Sequence, residues 1–125
     1  MIRFVLDSDI AIFATTAQHP QLRERLAECE PDEVGLSAIS FAEIVLGMEY
    51  GKPPTPKALA ALVSIVPVLP FDDVAANAYA KLPFKRARFD RLIGAHALSI
   101  GAVVVTNNPG DFADVPGLAV ENWTV

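Results

Sequence analysis

Arg3-Phe4-Val5-Leu6-Asp7-Ser8-Asp9-Ile10 is the stretch of this chain that indicates its fold. The apolar run 4–6 is typical of a strand that is buried on both faces of a parallel sheet. The run stops at a carboxylate, Asp7. Ligands of open parallel sheets bind just beyond the carboxyl ends of the strands, so Asp7 is a candidate for metal or phosphate chemistry. The alternative is structural, with Asp7, Ser8 or Asp9 capping the helix that follows.

The composition predicts one domain, spanning residues 1–125. Of the 125 residues, 52% are hydrophobic, which is enough to build a core and argues against disorder. No apolar run approaches the roughly 20 residues that cross a bilayer. Asp7 and Asp9 also fall where a signal peptide needs its apolar segment. We therefore expect a cytoplasmic protein that does not contact a membrane.

The charge and the cysteine content exclude several classes of protein. The formal net charge is −5, whereas proteins that coat nucleic acid are normally basic. Chemistry on nucleic acid would need a local basic patch beside an acidic site, or metal ions that offset the carboxylates. The single cysteine, Cys29, excludes an internal disulfide and a cysteine-based zinc site. It shares a helical stripe with Leu22 and Leu26, which indicates a core role.

Short apolar runs alternate with helical patterns along the chain. This alternation predicts an α/β fold with a mainly parallel central sheet of four or five strands flanked by helices. Pro67 and Pro70 place the third strand at an edge of the sheet. The predicted strands are 4–6, 34–39, 66–71, 102–105 and 118–120. Ser8 or Asp9 is expected to cap the first helix, and Ser40 and Glu43 match a capping box that begins the third. Apart from the third, the predicted helices are 8–16, 20–29, 57–65, 74–82 and 90–100.

Four carboxylates lie where such a sheet gathers side chains. Asp7 follows the first strand, Glu43 begins the helix after the second, and Asp111 lies in the loop after the fourth. Asp90 begins the helix before the fourth strand, and a standard crossover starts that helix at the same edge. Each acid also has a structural explanation, as a helix cap, a first-turn acid or a turn residue.

Clustered carboxylates indicate a particular chemistry. They raise one another's pKa values and need protons or cations beside them. Mg²⁺ and Mn²⁺ prefer oxygen ligands and keep several waters. Such an ion activates water and stabilises charge on a phosphodiester. The residues therefore predict metal-assisted phosphodiester hydrolysis, and their spacing does not select RNA over other substrates.

Four motifs of this chain resemble those of PIN-domain ribonuclease toxins of the VapC type. They occur in the order of the family and span nearly the whole chain, and the end of the chain, 115–123, is also similar. The motifs are Val5-Leu6-Asp7-Ser8-Asp9-Ile10, the run 37–47 (SAISFAEIVLG), the run 89–98 (FDRLIGAHAL) and the run 105–112 (VTNNPGDF).

The resemblance implies an endoribonuclease that depends on Mg²⁺ or Mn²⁺ and forms a homodimer. It also implies a cognate VapB-like antitoxin, whose tail enters the active-site groove. The implied catalytic and metal-binding residues are Asp7, Glu43, Asp90 and Asp111, with Thr106 and Asn108 shaping the cleft. Two departures from the family pattern are Asp9, where Asn is usual, and 85–89, where a Gly-containing turn is usual.

Basic residues surround Asp90 in the sequence. They predict a rim that binds RNA phosphates, with Arg86 and Arg88 joining Thr106 and Asn108 as RNA contacts, and the alternative is a solvated loop. His96 lies on an apolar stripe, which favours a core or interface histidine over a catalytic base. The basic residues are Lys81, Lys85, Arg86, Arg88 and Arg91.

Two other functions compete with the ribonuclease hypothesis. One is a PIN-fold module that binds RNA or protein without catalysis. The other is a phosphatase, because Asp7-Ser8-Asp9 resembles the Asp-x-Asp motif of haloacid-dehalogenase-type enzymes, which attack through an Asp nucleophile.

Overall fold

A five-stranded parallel sheet forms the centre of the computed structural model, which describes residues 1–83, 85 and 88–125. The order across the sheet is β3-β2-β1-β4-β5, and each pair of neighbours is parallel. The α/β fold and the parallel sheet are thus confirmed, as is the edge position of the third strand. The strands are β1 (Phe4–Leu6), β2 (Val34–Ser37), β3 (Val68–Leu69), β4 (Val103–Val105) and β5 (Val120–Glu121).

Six α-helices connect and flank the strands in the described part of the chain. None of them combines the length and the apolar character needed to cross a membrane. Gly101 ends the last helix with φ of +68°, a left-handed conformation that glycine adopts without a steric penalty. The helices are α1 (Ser8–Ala14), α2 (Pro20–Ala27), α3 (Ala38–Glu49), α4 (Pro56–Ile65), α5 (Asp73–Ala80) and α6 (Phe89–Ser99), and Pro109–Phe112 forms a short 3-10 helix.

The central strand contributes to two apolar clusters, one on each face of the sheet. Phe4 and Leu6 pack in the larger cluster, with residues of α1 to α4, whereas Val5 packs with Ile93 of α6 and Val104 of β4. Alternate residues of a strand point to opposite faces, so β1 is buried on both sides. This burial explains the continuous apolar run at 4–6, and it leaves Asp7 at the end of the middle strand.

The amino-terminal caps of α1 and α3 settle two alternatives that the sequence left open. Asp7 caps α1 by accepting a hydrogen bond from the backbone N–H of Ile10 at 2.9 Å. Of the three candidate caps, Asp7 is therefore confirmed, and the assignment of the cap to Ser8 or Asp9 is wrong. Ser37 caps α3, because its hydroxyl accepts from the N–H of Ile39 at 3.1 Å.

The predicted capping box is therefore also wrong. The second strand ends two residues earlier than expected, so Ser40 already lies inside α3. Its hydroxyl donates to the carbonyl of Leu6 at 3.4 Å and ties α3 to β1. Glu43 has no capping role, and its carboxylate is left for other contacts.

Candidate active site at the carboxyl edge of the sheet

Asp7 is a buried carboxylate, with 8% of its surface exposed. Burial raises its pKa to about 6, although hydrogen bonds from the Thr106 side chain and the Ile10 backbone partly oppose the rise. The negative charges of Asp9 and Asp90 raise it further. Asp7 is therefore both a helix cap and a perturbed acid, so the two interpretations drawn from the sequence are compatible.

Glu43 projects from α3 and is half-buried. Burial raises the pKa of its carboxyl, and the charges of Asp90 and Asp9 add to this effect. The hydroxyl of Ser8 donates to Oε1 of Glu43 at 2.5 Å and lowers the pKa in part. Ser8 thus ties Glu43 of α3 to the first turn of α1. From the sequence, Ser8 was only a possible cap, and its position next to the first acid was the available signal.

Asp90 lies in the first turn of α6 and is half-buried. Burial raises its pKa, the charges of Asp111 and Asp9 add to the rise, and the charge of Arg88 opposes it. Asp90 in turn raises the pKa of both Asp7 and Glu43. Asp90 therefore lies within electrostatic reach of both Asp7 and Glu43. Asp111 is exposed on the 3-10 helix and acts on this group through Asp90.

The donors at this edge suit a hard, hydrated cation. The carboxylates and the hydroxyls of Ser8 and Thr106 supply oxygen atoms only. The raised pKa values of the acids come first from burial and second from the repulsion between them, and a bound cation would stabilise the charged form against both. Within residues 1–83, 85 and 88–125, no three Asp, Glu, His or Cys side chains are arranged to hold a metal ion by themselves. Mg²⁺ commonly binds through one or two carboxylates and keeps its other ligands as water, so the donor set fits such an ion.

Residues 4–118 match the PIN domain family. The chain belongs to this family. The tRNA(fMet)-specific endonuclease VapC of Shigella flexneri is 31% identical to it over 133 residues, which cover 99% of this chain and 100% of that protein. The resemblance drawn from the four sequence motifs is therefore confirmed.

Solved structures of toxin–antitoxin complexes share the fold of this PIN domain. VapBC2 from Rickettsia felis, bound to a DNA fragment from its promoter, superimposes with a TM-score of 0.85 at 25% identity, over 98% of this chain and 99% of that chain. DNA-bound VapBC from Salmonella typhimurium gives a TM-score of 0.79 at 31% identity, with the same two coverages.

Thr106 lies at the end of β4 in this PIN domain and has no exposed surface. Its side chain forms a hydrogen bond with Asp7, and its Oγ1 accepts from the N–H of Asn108 at 3.0 Å. Thr106 therefore orders Asp7 and the loop after β4, and its complete burial does not fit the direct RNA contact expected of it. Asn108 is exposed, and its amide donates to the side chain of Asn107 at 3.2 Å.

The predicted basic rim is only partly present in the PIN domain. Arg91 is 2% exposed, pairs with Asp114 at 2.9 Å and donates to the carbonyl of Pro83, so its assignment to the rim is wrong. Arg88 is exposed and donates to the carbonyl of Asp111 at 3.4 Å. Lys81 and Lys85 are exposed as well. The predicted RNA contact at Arg86 lies outside the described residues.

Proposed function

We propose that this PIN domain is an endoribonuclease that depends on Mg²⁺ or Mn²⁺. The observation that carries the proposal is the buried carboxyl of Asp7, whose pKa of about 6 reflects burial beside Asp9 and Asp90. Perturbed acids of this kind are concentrated at catalytic and metal sites. Membership of a family in which a 31% identical relative is named an endonuclease supports the same activity.

Each acid has a separate part in this proposal. Asp7 and Asp90 hold the ion, whereas Glu43 and Asp111 complete the acid cluster or orient the attacking water. A bound ion supplies positive charge to the phosphodiester and lowers the pKa of bound water. Glu43 is suited to accept a proton from the attacking water, because Ser8 fixes its Oε1 and burial raises its pKa.

RNA is the proposed substrate, and cationic side chains near Asp90 would contact its phosphates. Arg88 is exposed beside Asp111 and lowers the pKa of Asp90, so its guanidinium lies within electrostatic reach of the acids. An arginine can bind a phosphate through two hydrogen bonds. Arg86, which lies outside the described residues, and Asn108 remain proposed contacts of the RNA.

A VapB-like antitoxin is the proposed protein partner, and we also propose a homodimer. The solved neighbours at 25% and 31% identity are VapBC complexes, and each covers nearly all of this chain. Co-expression with the protein encoded directly upstream should yield a stable complex on gel filtration. Light scattering of the isolated chain should give twice the monomer mass of 13.4 kDa.

RNA cleavage by the purified chain tests the activity. We expect cleavage of RNA with added Mg²⁺ or Mn²⁺, no cleavage with EDTA, and recovery when either ion is restored. RNA binding without cleavage under all of these conditions would favour the non-catalytic module. The Asp-nucleophile phosphatase is no longer an alternative, because the PIN family match covers residues 4–118.

The buried Asp7 also predicts how the stability of the metal-free protein depends on pH. The pKa of Asp7 is about 6 in the folded protein, against 3.8 for an ordinary Asp, so the folded state binds its proton more tightly. The resulting stabilisation is complete below about pH 4 and is lost as the pH rises through about 6. Asp7→Asn removes this dependence, since the amide remains neutral.

In EDTA, Asp7→Asn should match the wild type near pH 4. At pH 7 it should be more stable, by up to about 3 kcal/mol for a shift of about two pKa units. Asparagine can still cap α1, whereas Asp7→Ala also loses the cap, which offsets roughly 1 kcal/mol of the gain. Urea unfolding at several pH values measures these differences. An Asn variant that is less stable than the wild type at pH 7 would contradict the prediction.

A further inference from the structure

His96 is a buried polar residue on α6 for which the proposed chemistry has no use. Its exposed fraction is 2%, and its Nδ1 lies 2.8 Å from the hydroxyl oxygen of Ser37, which is itself fully buried. The ring of Phe71 packs edge-on against the imidazole, with 5.4 Å between the ring centres. This environment agrees with the core histidine favoured by the sequence, and it keeps His96 away from any substrate.

The hydroxyl of Ser37 takes part in two hydrogen bonds, one with Ile39 and one with His96. Ser37 Oγ accepts from the N–H of Ile39, so its proton is free to be donated to Nδ1 of a neutral imidazole. Burial lowers the pKa of His96, and the negative charge of Asp72 opposes this in part. The lowered pKa favours the neutral ring. We assign Nδ1 as the acceptor of the Ser37 proton, which places the proton of the neutral ring on Nε2.

This hydrogen bond joins the two helices that carry acids of the cluster. Ser37 is the cap of α3, which carries Glu43, and His96 lies on α6 six residues after Asp90. Six residues of helix correspond to about 9 Å along the axis, so a shift of α6 at His96 is transmitted directly to Asp90.

The neighbours of His96 on α6 are small and closely packed. Gly94, Ala95 and Ala97 are all buried, and a Cβ at Gly94 would lie only 3.1 Å from the Val115 side chain. The hydrogen bond between Ser37 and His96 adds a directional contact that helps to set the axial position of α6 against α3. Ser40 and Ser8 do the same for α3, by bonding to Leu6 and by holding Glu43 beside α1, respectively.

We propose that His96 is a positioning residue: through Ser37 it fixes the helix that carries Asp90 against the helix that carries Glu43. This inference rests on the proposed ribonuclease function. Misplacing a catalytic group by about 1 Å can cost a hundredfold in rate, and groups that orient metal ligands commonly contribute ten- to a hundredfold in activity or metal affinity.

The test compares two substitutions of His96 in the full chain. His96→Leu keeps an apolar side chain but removes Nδ1, whereas the Oδ1 of His96→Asn can accept the Ser37 proton from about the same place. We expect Leu to lower kcat for RNA cleavage about tenfold or more with KM within about twofold, and to raise the half-saturating Mn²⁺ concentration about tenfold. His96→Asn should bring both kcat and the half-saturating Mn²⁺ concentration most of the way back to the wild-type values.

A matched control separates positioning from loss of stability. Leu22 is fully buried on α2 in the larger apolar cluster, so Leu22→Ala should destabilise the chain while leaving kcat of the folded protein unchanged. In ¹⁵N-histidine NMR spectra, the wild type should show Nε2–H with an accepting Nδ1, and Ser37→Ala should alter the Nδ1 signal.

Each result decides for or against the positioning role. The role would be overturned if His96→Leu kept the kcat and the Mn²⁺ requirement of the wild type. It would also be overturned if Leu22→Ala lost as much kcat as His96→Leu, or if His96→Asn did not restore kcat. Should the wild-type chain cleave no RNA, the ribonuclease proposal fails. The test of His96 then rests on the shift that Mn²⁺ causes in the unfolding midpoint, which should be larger in the wild type than in His96→Leu. An equal shift in both proteins, or no shift in either, would overturn the inference.

Discussion

Asp90→Asn is expected to lower the rate of RNA cleavage by at least about a hundredfold. Removing a residue that only orients a metal ligand already lowers metal affinity or activity about ten- to a hundredfold. The negative charge of Asp90 raises the pKa of both Asp7 and Glu43, and the pKa of Asp90 is itself raised by the charges of Asp111 and Asp9. Its removal therefore takes one proposed ion ligand from the cluster and weakens the field that would attract the cation. Single-turnover cleavage at saturating RNA measures the effect on the chemical step.

The stability of Asp90→Asn should change little. The variant loses an acid that interacts favourably with the amino end of α6, which is worth roughly 0.3–1 kcal/mol, but it also relieves repulsion within the cluster. Asp73→Asn is the matched control, because Asp73 is also a first-turn acid, on α5, and it is exposed. We expect the control to cleave RNA within about twofold of the wild type. A fully active Asp90→Asn would refute the assignment of this site.

Arg91→Ala is expected to destabilise the protein by about 3 kcal/mol, which lowers Tm by roughly 10 °C for a chain of this size. The guanidinium of Arg91 is buried, pairs with Asp114 at 2.9 Å and donates to the carbonyl of Pro83. It therefore connects the segment before α6 to the loop that follows the 3-10 helix. The substitution removes the buried side-chain stem and leaves the pairing oxygen of Asp114 without this donor.

Two comparisons identify the source of this loss. Arg91→Met keeps most of the apolar stem, so it should recover the packing part of the loss but not the polar part. Arg3 and Glu33 form a pair of similar length, 2.8 Å, but the Arg3 side chain is 64% exposed, and Arg3→Ala should have a much smaller effect. Urea unfolding of the three variants measures the differences. If Arg91→Ala and Arg3→Ala destabilised the chain equally, the structural role of Arg91 would be wrong.

Strand positions and the location of the acids were predicted well because they depend on local patterns. The apolar run 4–6 is typical of a strand covered on both faces, and β1 is the middle strand of the sheet. The prolines at 67 and 70 indicated an edge, where a missing N–H costs least, and β3 lies at that edge. The right-handed connection between parallel strands then directs Asp7 and Glu43 to one side of the sheet.

The start of α3 shows where local reasoning fails. Both Ser37 and Ser40 satisfy the sequence pattern of a helix cap, and only Ser40 has a Glu three residues later. The choice depends on where β2 leaves the sheet, which is set by its pairing with β1 up to Leu36 and with β3 up to Ser37. Glu43 was therefore expected to cap α3, whereas it accepts a hydrogen bond from Ser8, 35 residues away.

Local periodicity and chain chirality were thus sufficient to predict the α/β sheet and the edge at which its acidic residues gather. The role of each polar side chain depended on contacts between distant parts of the chain. Ser37 lies 59 residues from His96, and Asp114 lies 23 residues from Arg91. Neither contact leaves a periodic signal, because a buried hydrogen bond or ion pair depends on the three-dimensional surroundings of its atoms rather than on their spacing in sequence.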